Sequence, residues 1–287
     1  MKKEKIGIVL EGGGMRGIYT VGVLDYFLEQ NMFPDYVVGV SAGACHGVSY
    51  ISKQHGRSYR INTDYLKDKR YASLWNYMKT KSIFGMDFLF DEIPHKLDPF
   101  DYDAFLSSPV ELAVGVTDVH TGKPVYFYKE EFNRNSDVLR ASSSIPVFSP
   151  IVEYKGGKYL DGGTADPIPV KKAIEDGCTK LIVVLTRDRN YVKTPEKFRM
   201  IYRKTFKDYP EMIRVLDERH EIYNQALACI NGLEKEGKAV VIAPSSPLTI
   251  GRFEKSRPKL EQVYQLGRRD AEQSSALFSG LLQTEAD

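Results

Sequence analysis

Apolar positions along the chain follow two alternating rhythms. The runs Ile6–Leu10 (IGIVL) and Tyr36–Val40 (YVVGV) are apolar without interruption, as in a strand buried on both faces. Between them Ile18, Val21, Leu24 and Leu28 recur at helical spacing, and a second helix is read over 42–54 (AGACHGVSYISKQ). The opening is therefore strand–helix–strand–helix. It predicts an α/β fold with a mostly parallel central sheet covered by helices on both faces.

Residues 58–108 break the rhythm. They are rich in Tyr, Phe and Asp and read as helices and loops. VELAVGVTD and KPVYFYK read as two strands joined by a turn around His120 and Gly122. DVLRASSSIPVFSP is a helix running into a proline-bounded loop, and IVEYKGGKYLDGG a hairpin turned at Gly156–Gly157. PVKKAIEDG reads as helix and KLIVVLT as strand. Beyond Arg187 the chain becomes basic and helical. Met212, Leu216, Ile222, Leu227 and Ile230 mark a long helix, AVVIAP a late strand, and 258–282 a final helix.

Two glycine-rich junctions carry the candidate chemistry. Gly12, Gly14 and Gly17 in LEGGGMRGIY satisfy G-x-G-x-x-G between a strand and a helix, the form of a dinucleotide-binding loop. That use needs an acidic residue at the end of the second strand to hold a ribose. Here the strand ends in Val40-Ser41 and Asp35 stands at its start. No nicotinamide or flavin cofactor is expected. The same bare N–H groups, ahead of a helix dipole, suit an oxyanion hole.

Gly39-Val40-Ser41-Ala42-Gly43 fits G-x-S-x-G at a strand-to-helix turn. The turn is sharp and strained, and small neighbours two residues away avoid a clash. The two strands are joined by one helix of crossover length, so they run parallel and end on the same sheet edge. Topology thus brings the glycine loop and Ser41 together as oxyanion hole and nucleophile.

A serine nucleophile needs a base. Of the five histidines, only His220 comes late in the chain, in a charged helix; His46 is on the elbow helix and His120 in a hairpin turn. Asp161, in LDGG, is either a plain turn aspartate or the base. Arg16 has two readings, an anion partner near the hole or an internal ion pair that shapes the loop, and the second is favoured.

Composition sets bounds. With 287 residues, 42% hydrophobic and 27% charged, the chain can bury a real core in one large domain or two. Forty basic against 38 acidic residues leave a net charge of +2, so nucleic acid is not an expected partner. Cys45, Cys178 and Cys229 form neither a disulfide framework nor a metal knuckle. They are expected to be buried reduced thiols in a cytoplasmic setting. IGIVL is shorter than the ~7–15 apolar residues of a signal-peptide core, and no spanning helix is expected. Surface contact with a membrane stays open. KFRMIYRKTFK (197–207) sets Phe198, Ile201, Tyr202, Thr205 and Phe206 along one stripe, with Arg203, Lys204 and Lys207 opposite. That is the form of a basic helix lying on an anionic membrane, or of one packed on the core.

GGGMRG, GVSAG, ASSSIPVFSP and DGG, in this order over residues 12–163, resemble the patatin-like phospholipase family. The strand–helix pattern extends the likeness to about residue 186. The resemblance implies a three-layer α/β sandwich with a Ser–Asp dyad and lipid acyl hydrolase activity without metal or cofactor. By motif it makes Ser41 the nucleophile and Asp161 the base. The backbone amides of Gly12, Gly13, Gly14 and Met15 become the oxyanion hole, with Arg16, Gly17, Gly39, Gly43, Gly162 and Gly163 in support. Gly163 stands where many members have alanine. The chain then divides into a catalytic domain over 1–187 and a mainly helical region with one late strand over 188–287, packed on the same domain. The implied substrate is a phospholipid or lysophospholipid ester. A carboxylesterase for short acyl esters and an inactive lipid-binding or regulatory protein are the alternatives.

Overall fold

The computed structural model describes residues 4–278 and 283–284. Strand β1 (Ile6–Leu10) leads through a 3₁₀ turn over Gly14–Gly17 into α1 (Ile18–Glu29). There follow β2 (Met32–Phe33), β3 (Tyr36–Val40) and α2 (Ala42–Ile51). β1 and β3 are buried at every position and pair in parallel, with Ile8 opposite Val37. The expected strand–helix–strand–helix opening is present.

The irregular stretch holds α3 (Arg57–Thr63), α4 (Leu74–Thr80), a wide π-helical segment over Phe88–Leu97 that contains Pro94, and α5 (Tyr102–Ser107). Both hairpins form. β4 (Glu111–Asp118) pairs antiparallel with β5 (Pro124–Tyr128). After α6 (Asp137–Ser142), β6 (Val152–Tyr154) pairs with β7 (Gly157–Asp161). Its two-residue turn is Lys155-Gly156, with φ 46° and 79°, the paired positive φ of a type I′ turn. The turn is one residue earlier than expected, and Gly157 opens β7.

The chain continues through α7 (Val170–Glu175), β8 (Lys180–Val184), α8 (Arg199–Thr205), α9 (Pro210–Lys235), β9 (Ala239–Ile242), α10 (Arg257–Gln273), α11 (Ser275–Phe278) and β10 (Gln283–Thr284). The final helix expected over 258–282 is broken at Ser274. Its last four positions, 279–282, lie outside the described residues.

The main sheet runs β6-β7-β4-β3-β1-β8-β9, with β5 also on β4. Its five strands from β4 to β9 are parallel, and the antiparallel hairpins sit at one side. Side chains alternate between two cores, as the two-residue period of a strand requires. Ile8 and Leu10 face the layer of α1, α2 and α10, whereas Val9 faces that of α7 and α9. The result is the expected three-layer sandwich.

α1 is buried well beyond its apolar stripe because α10 lies on its outer side. A Cβ at Gly22 would stand 2.1 Å from the Tyr264 carbonyl, and one at Gly267 2.1 Å from that of Tyr19. The glycines let the two helices meet backbone to backbone.

Two expectations need correction. Cys178 is buried, but Cys45 and Cys229 are only half-buried. The stripe along α8 is split: Tyr202 and Phe206 pack into the core, Phe206 being 3% exposed, while Phe198 is 58% exposed and Ile201 50%. Periodicity marks a stripe but cannot say which part of it meets a neighbour.

Candidate active site

Ser41 occupies the turn between β3 and α2 with φ 54° and ψ −128°, a conformation a non-glycine residue holds only under tertiary constraint. The elbow tolerates no bulk beside it. A Cβ at Gly43 would lie 2.5 Å from the Leu10 carbonyl oxygen, and one at Gly39 2.8 Å from the Ala44 nitrogen. The Ser41 amide donates to Ser142 Oγ at 2.8 Å, and Ser142 Oγ donates to the Gly115 carbonyl at 2.7 Å.

Asp161 ends β7. Its Oδ2 accepts the Ser41 hydroxyl at 2.7 Å, and its Oδ1 accepts the Gly163 amide at 2.8 Å. The carboxylate is therefore a turn aspartate and a serine partner at once, one oxygen for each. Its backbone is also held: the amide donates to the Ser144 carbonyl at 2.8 Å, and Thr117 Oγ1 donates to its carbonyl at 2.8 Å. A Cβ at Gly162 would stand 2.1 Å from the Gly115 carbonyl, so only glycine fits there. At Gly163 a Cβ would meet nothing nearer than Asp161 Oδ1 at 3.1 Å, a contact that a small shift relieves. Burial raises the Asp161 pKa, against the pull of the Ser41 hydrogen bond and the Arg219 charge.

The glycine loop approaches the serine from the end of β1. A Cβ at Gly12 would be 3.1 Å from Ser41 Cβ. The amides of Gly12, Gly13 and Gly14 donate to no acceptor among the described residues, whereas the Met15 amide donates to the Arg252 carbonyl at 3.1 Å. Three of the four expected donors are thus uncommitted among the described residues and the fourth is engaged. Gly14 has φ +57°, and at Gly17 a Cβ would strike Ala42 Cβ at 2.8 Å. Just before the loop, the buried Glu11 accepts the Thr186 amide at 2.6 Å and the Tyr223 hydroxyl at 3.0 Å. Arg16 is buried, and its Nε has no partner among the described residues. Burial, then the like charges of Arg187 and Arg252, lower its pKa to about 10. The favoured ion pair for Arg16 is not formed among the described residues.

No histidine bonds to Ser41 among the described residues. His55 pairs with Glu29, His95 with Asp91, and His220 Nδ1 lies against the Asp217 carbonyl. His120 packs on Tyr209. His46 is buried, its Nε2 unpartnered, and burial pushes its pKa down to about 4.

Ser41 stands at the junction of two cavities. The smaller, of about 230 Å³, runs from Cys45 and Met15 to Phe90, Phe105 and Leu106 and is mostly apolar. The larger, of about 620 Å³, holds the glycine loop, Asp161 and several cationic side chains. Sequence reasoning assigned nothing to Ser142, Ser144 or Glu11, or to the C-terminal Arg219 and Arg252. The polar run ASSS was the only local signal. It spans both halves of the site, since Ser142 holds the Ser41 amide and Ser144 the Asp161 amide.

A family model described as patatin-like phospholipase matches residues 8–174, and one described as a domain of unknown function, DUF6363, matches residues 209–283. The chain is 30% identical over 270 residues to the uncharacterised protein YjjU of Escherichia coli, covering 92% of this chain and 75% of that one. It is 26% identical over 292 residues to the lysophospholipase NTE1 of Debaryomyces hansenii, covering 93% of this chain but only 18% of that protein. Among solved structures it overlaps VipD from Legionella pneumophila with a TM-score of 0.46 at 15% identity, over 99% of this chain and 68% of that one.

Proposed function

Because the chain belongs to the patatin-like phospholipase family and is a lipid ester hydrolase, we propose that it cleaves a phospholipid or lysophospholipid through Ser41 and Asp161 alone. The observation that carries this reading is the 2.7 Å hydrogen bond from Ser41 Oγ to a buried carboxylate, with no histidine bonded to either group among the described residues. Ser41 attacks the ester carbonyl carbon and passes its proton to Asp161 Oδ2. The amides of Gly12, Gly13 and Gly14 take the oxyanion. Collapse expels the alcohol, protonated by Asp161, and leaves an acyl-enzyme. Asp161 then draws a proton from water, which attacks the acyl carbon; collapse releases the fatty acid, and Asp161 returns the proton to Ser41 Oγ.

The two cavities divide the substrate. Asp161 lines the larger cavity and not the smaller. The leaving oxygen must collect its proton from Asp161, so the alcohol half departs through the larger cavity and the acyl chain lies in the apolar one. An apolar channel reaching Phe105 and Leu106 favours a long acyl chain over a short one. A fluorophosphonate should add once, on Ser41, as read by mass spectrometry of the labelled peptide. Label on another serine, or none, overturns the nucleophile assignment.

The substrate would be met at a lipid surface. Among the described residues no helix is long and apolar enough to cross a membrane. The rim of the larger cavity nevertheless carries exposed apolar side chains, Leu74 on α4 with Phe198, Ile201 and Phe253. Basic Arg199 and Lys204 share the α8 segment, and such a rim suits an anionic bilayer. The double variant Phe198→Ser, Ile201→Ser should co-sediment with anionic phospholipid vesicles at least about tenfold more weakly, since each buried apolar side chain contributes roughly 1.5–3 kcal/mol. Equal binding removes the idea. Phe206 is left intact because it is part of the core.

A further inference from the structure

The larger cavity is unbalanced in charge. Five cationic side chains line it, Arg16, Arg187, Lys193, Arg219 and Arg252, against three acidic ones. The acids are already committed. Glu196 pairs with Lys193 at 2.9 Å and Arg219 at 2.7 Å. Glu11 is held by Thr186 and Tyr223, and Asp161 by Ser41 and Gly163.

Three are left over: Arg16, described above, and the pair Arg187 and Arg252. Neither Arg187 nor Arg252 forms an ion pair among the described residues. Arg187 lies over the Tyr191 ring at 4.5 Å, and among the described residues Arg252 hydrogen-bonds only through its backbone carbonyl. The excess positive field is felt by its neighbours: burial, then Arg219 with a further contribution from Arg252, lowers the Lys193 pKa to about 8. Partly buried cations without counter-ions are costly unless a ligand supplies the anion. Their origin in the chain is also distinctive. Four of the five come from beyond residue 174, where the patatin-like match ends, and Arg219 and Arg252 lie in the 209–283 segment.

We infer that the C-terminal part of this chain builds an anion subsite into the hydrolase, in which Arg187 and Arg252 bind a phosphate group on the alcohol half of the substrate. Its position follows from the reading of Ser41 and Asp161 given above, which puts the leaving alcohol in this cavity. The favoured substrate is a lipid ester whose alcohol carries phosphate, over a neutral glyceride of the same acyl chain. A guanidinium suits this task because it offers phosphate a fork of fixed donors.

The test has a kinetic arm and a binding arm. The kinetic arm compares kcat/KM for monoacylglycerol phosphate and monoacylglycerol with one acyl chain. The ratio should favour the phosphate ester and fall about ten- to hundredfold in Arg187→Gln with Arg252→Gln, the range expected for lost charged hydrogen bonds. Arg187→Gln alone breaks no hydrogen bond among the described residues, so a folded protein is available if the double variant fails, and its ratio should fall in the same direction. The binding arm titrates glycerol phosphate and inorganic phosphate into Ser41→Ala protein by calorimetry. Saturable binding of glycerol phosphate, at least as tight as inorganic phosphate and weakened at least tenfold by the arginine substitutions, supports the subsite. An unchanged kinetic ratio, or no binding to Ser41→Ala, overturns it even if Ser41 proves to be the nucleophile. Binding that persists while fluorophosphonate labels another serine overturns the nucleophile and keeps the subsite.

Discussion

Asp161→Asn is expected to lower kcat by at least about 10²-fold, the low end of what a general base contributes. The substitution keeps the size of the side chain and one oxygen to accept the Gly163 amide, but the amide cannot take the Ser41 proton. Ser41→Ala should abolish turnover altogether. Single changes of His46, His55, His95, His120 and His220 to Gln should each stay within about tenfold, or ~1.4 kcal/mol in the barrier. Four of those rings are engaged elsewhere on the surface or in turns. His46 is buried beside Gly17, so the folding of its variant should be checked by circular dichroism. The pH profile carries the same signature. A base must be ionised to act, and burial has raised the Asp161 pKa above the ordinary value. Activity should therefore fall as pH descends through a point above ~3.9, and this acid limb should remain in every histidine variant. A well-folded histidine variant as inactive as Ser41→Ala, beside an active Asp161→Asn, would replace the dyad with a triad.

Gly43→Ala should be nearly as damaging, though it removes no functional group. The added methyl would stand 2.5 Å from the Leu10 carbonyl oxygen and 2.8 Å from that of Glu11. Both are backbone atoms at the end of β1, which cannot rotate away as a side chain could. Relief requires β1 and α2 to separate, and the residues that follow Glu11 are Gly12, Gly13 and Gly14. Their amides would then move relative to Ser41. The stability cost of overpacking is roughly 1–3 kcal/mol. The larger effect should be on kcat, a loss of about 10²–10³-fold, comparable to removing one oxyanion donor. Gly163→Ala is the contrast: its methyl meets only side-chain atoms, the nearest Asp161 Oδ1 at 3.1 Å, and kcat should change less than about threefold. Gly232→Ala, in α9 with nothing within 4 Å, should raise stability by roughly 0.5–1 kcal/mol. Thermal unfolding and kcat/KM measured together separate these cases. A Gly43→Ala enzyme with unchanged kcat would show that the elbow does not set the geometry of the glycine loop.

Much of the architecture was legible because its causes are local. A strand buried on both faces must be an unbroken apolar run, and β1, β3, β8 and β9 announce themselves in this way. The hairpins, the elbow and the glycine loop were equally visible, since a turn with positive φ or a close backbone approach demands glycine within a few residues. From these signals alone Ser41 and the glycine loop reach one sheet edge. The stretch from 58 to 108 was not legible: its helices are short, and many of its apolar side chains line the channel beside Ser41 instead of forming a regular stripe. Nor could periodicity tell that α8 turns Tyr202 and Phe206 inward and leaves Phe198 outside. The remaining features arise from pairs far apart in sequence. Asp161 meets Ser41 across 120 residues, and Tyr223 meets Glu11 across 212. The Arg252 carbonyl occupies the Met15 amide, and Arg187 and Arg252 share one cavity and form no ion pair among the described residues. Local spacing encodes which backbone shapes a segment can adopt. Which donor is already spent, which carboxylate faces the serine and which cation is unpaired depend on what another segment brings to the same place, and only the packed fold decides that.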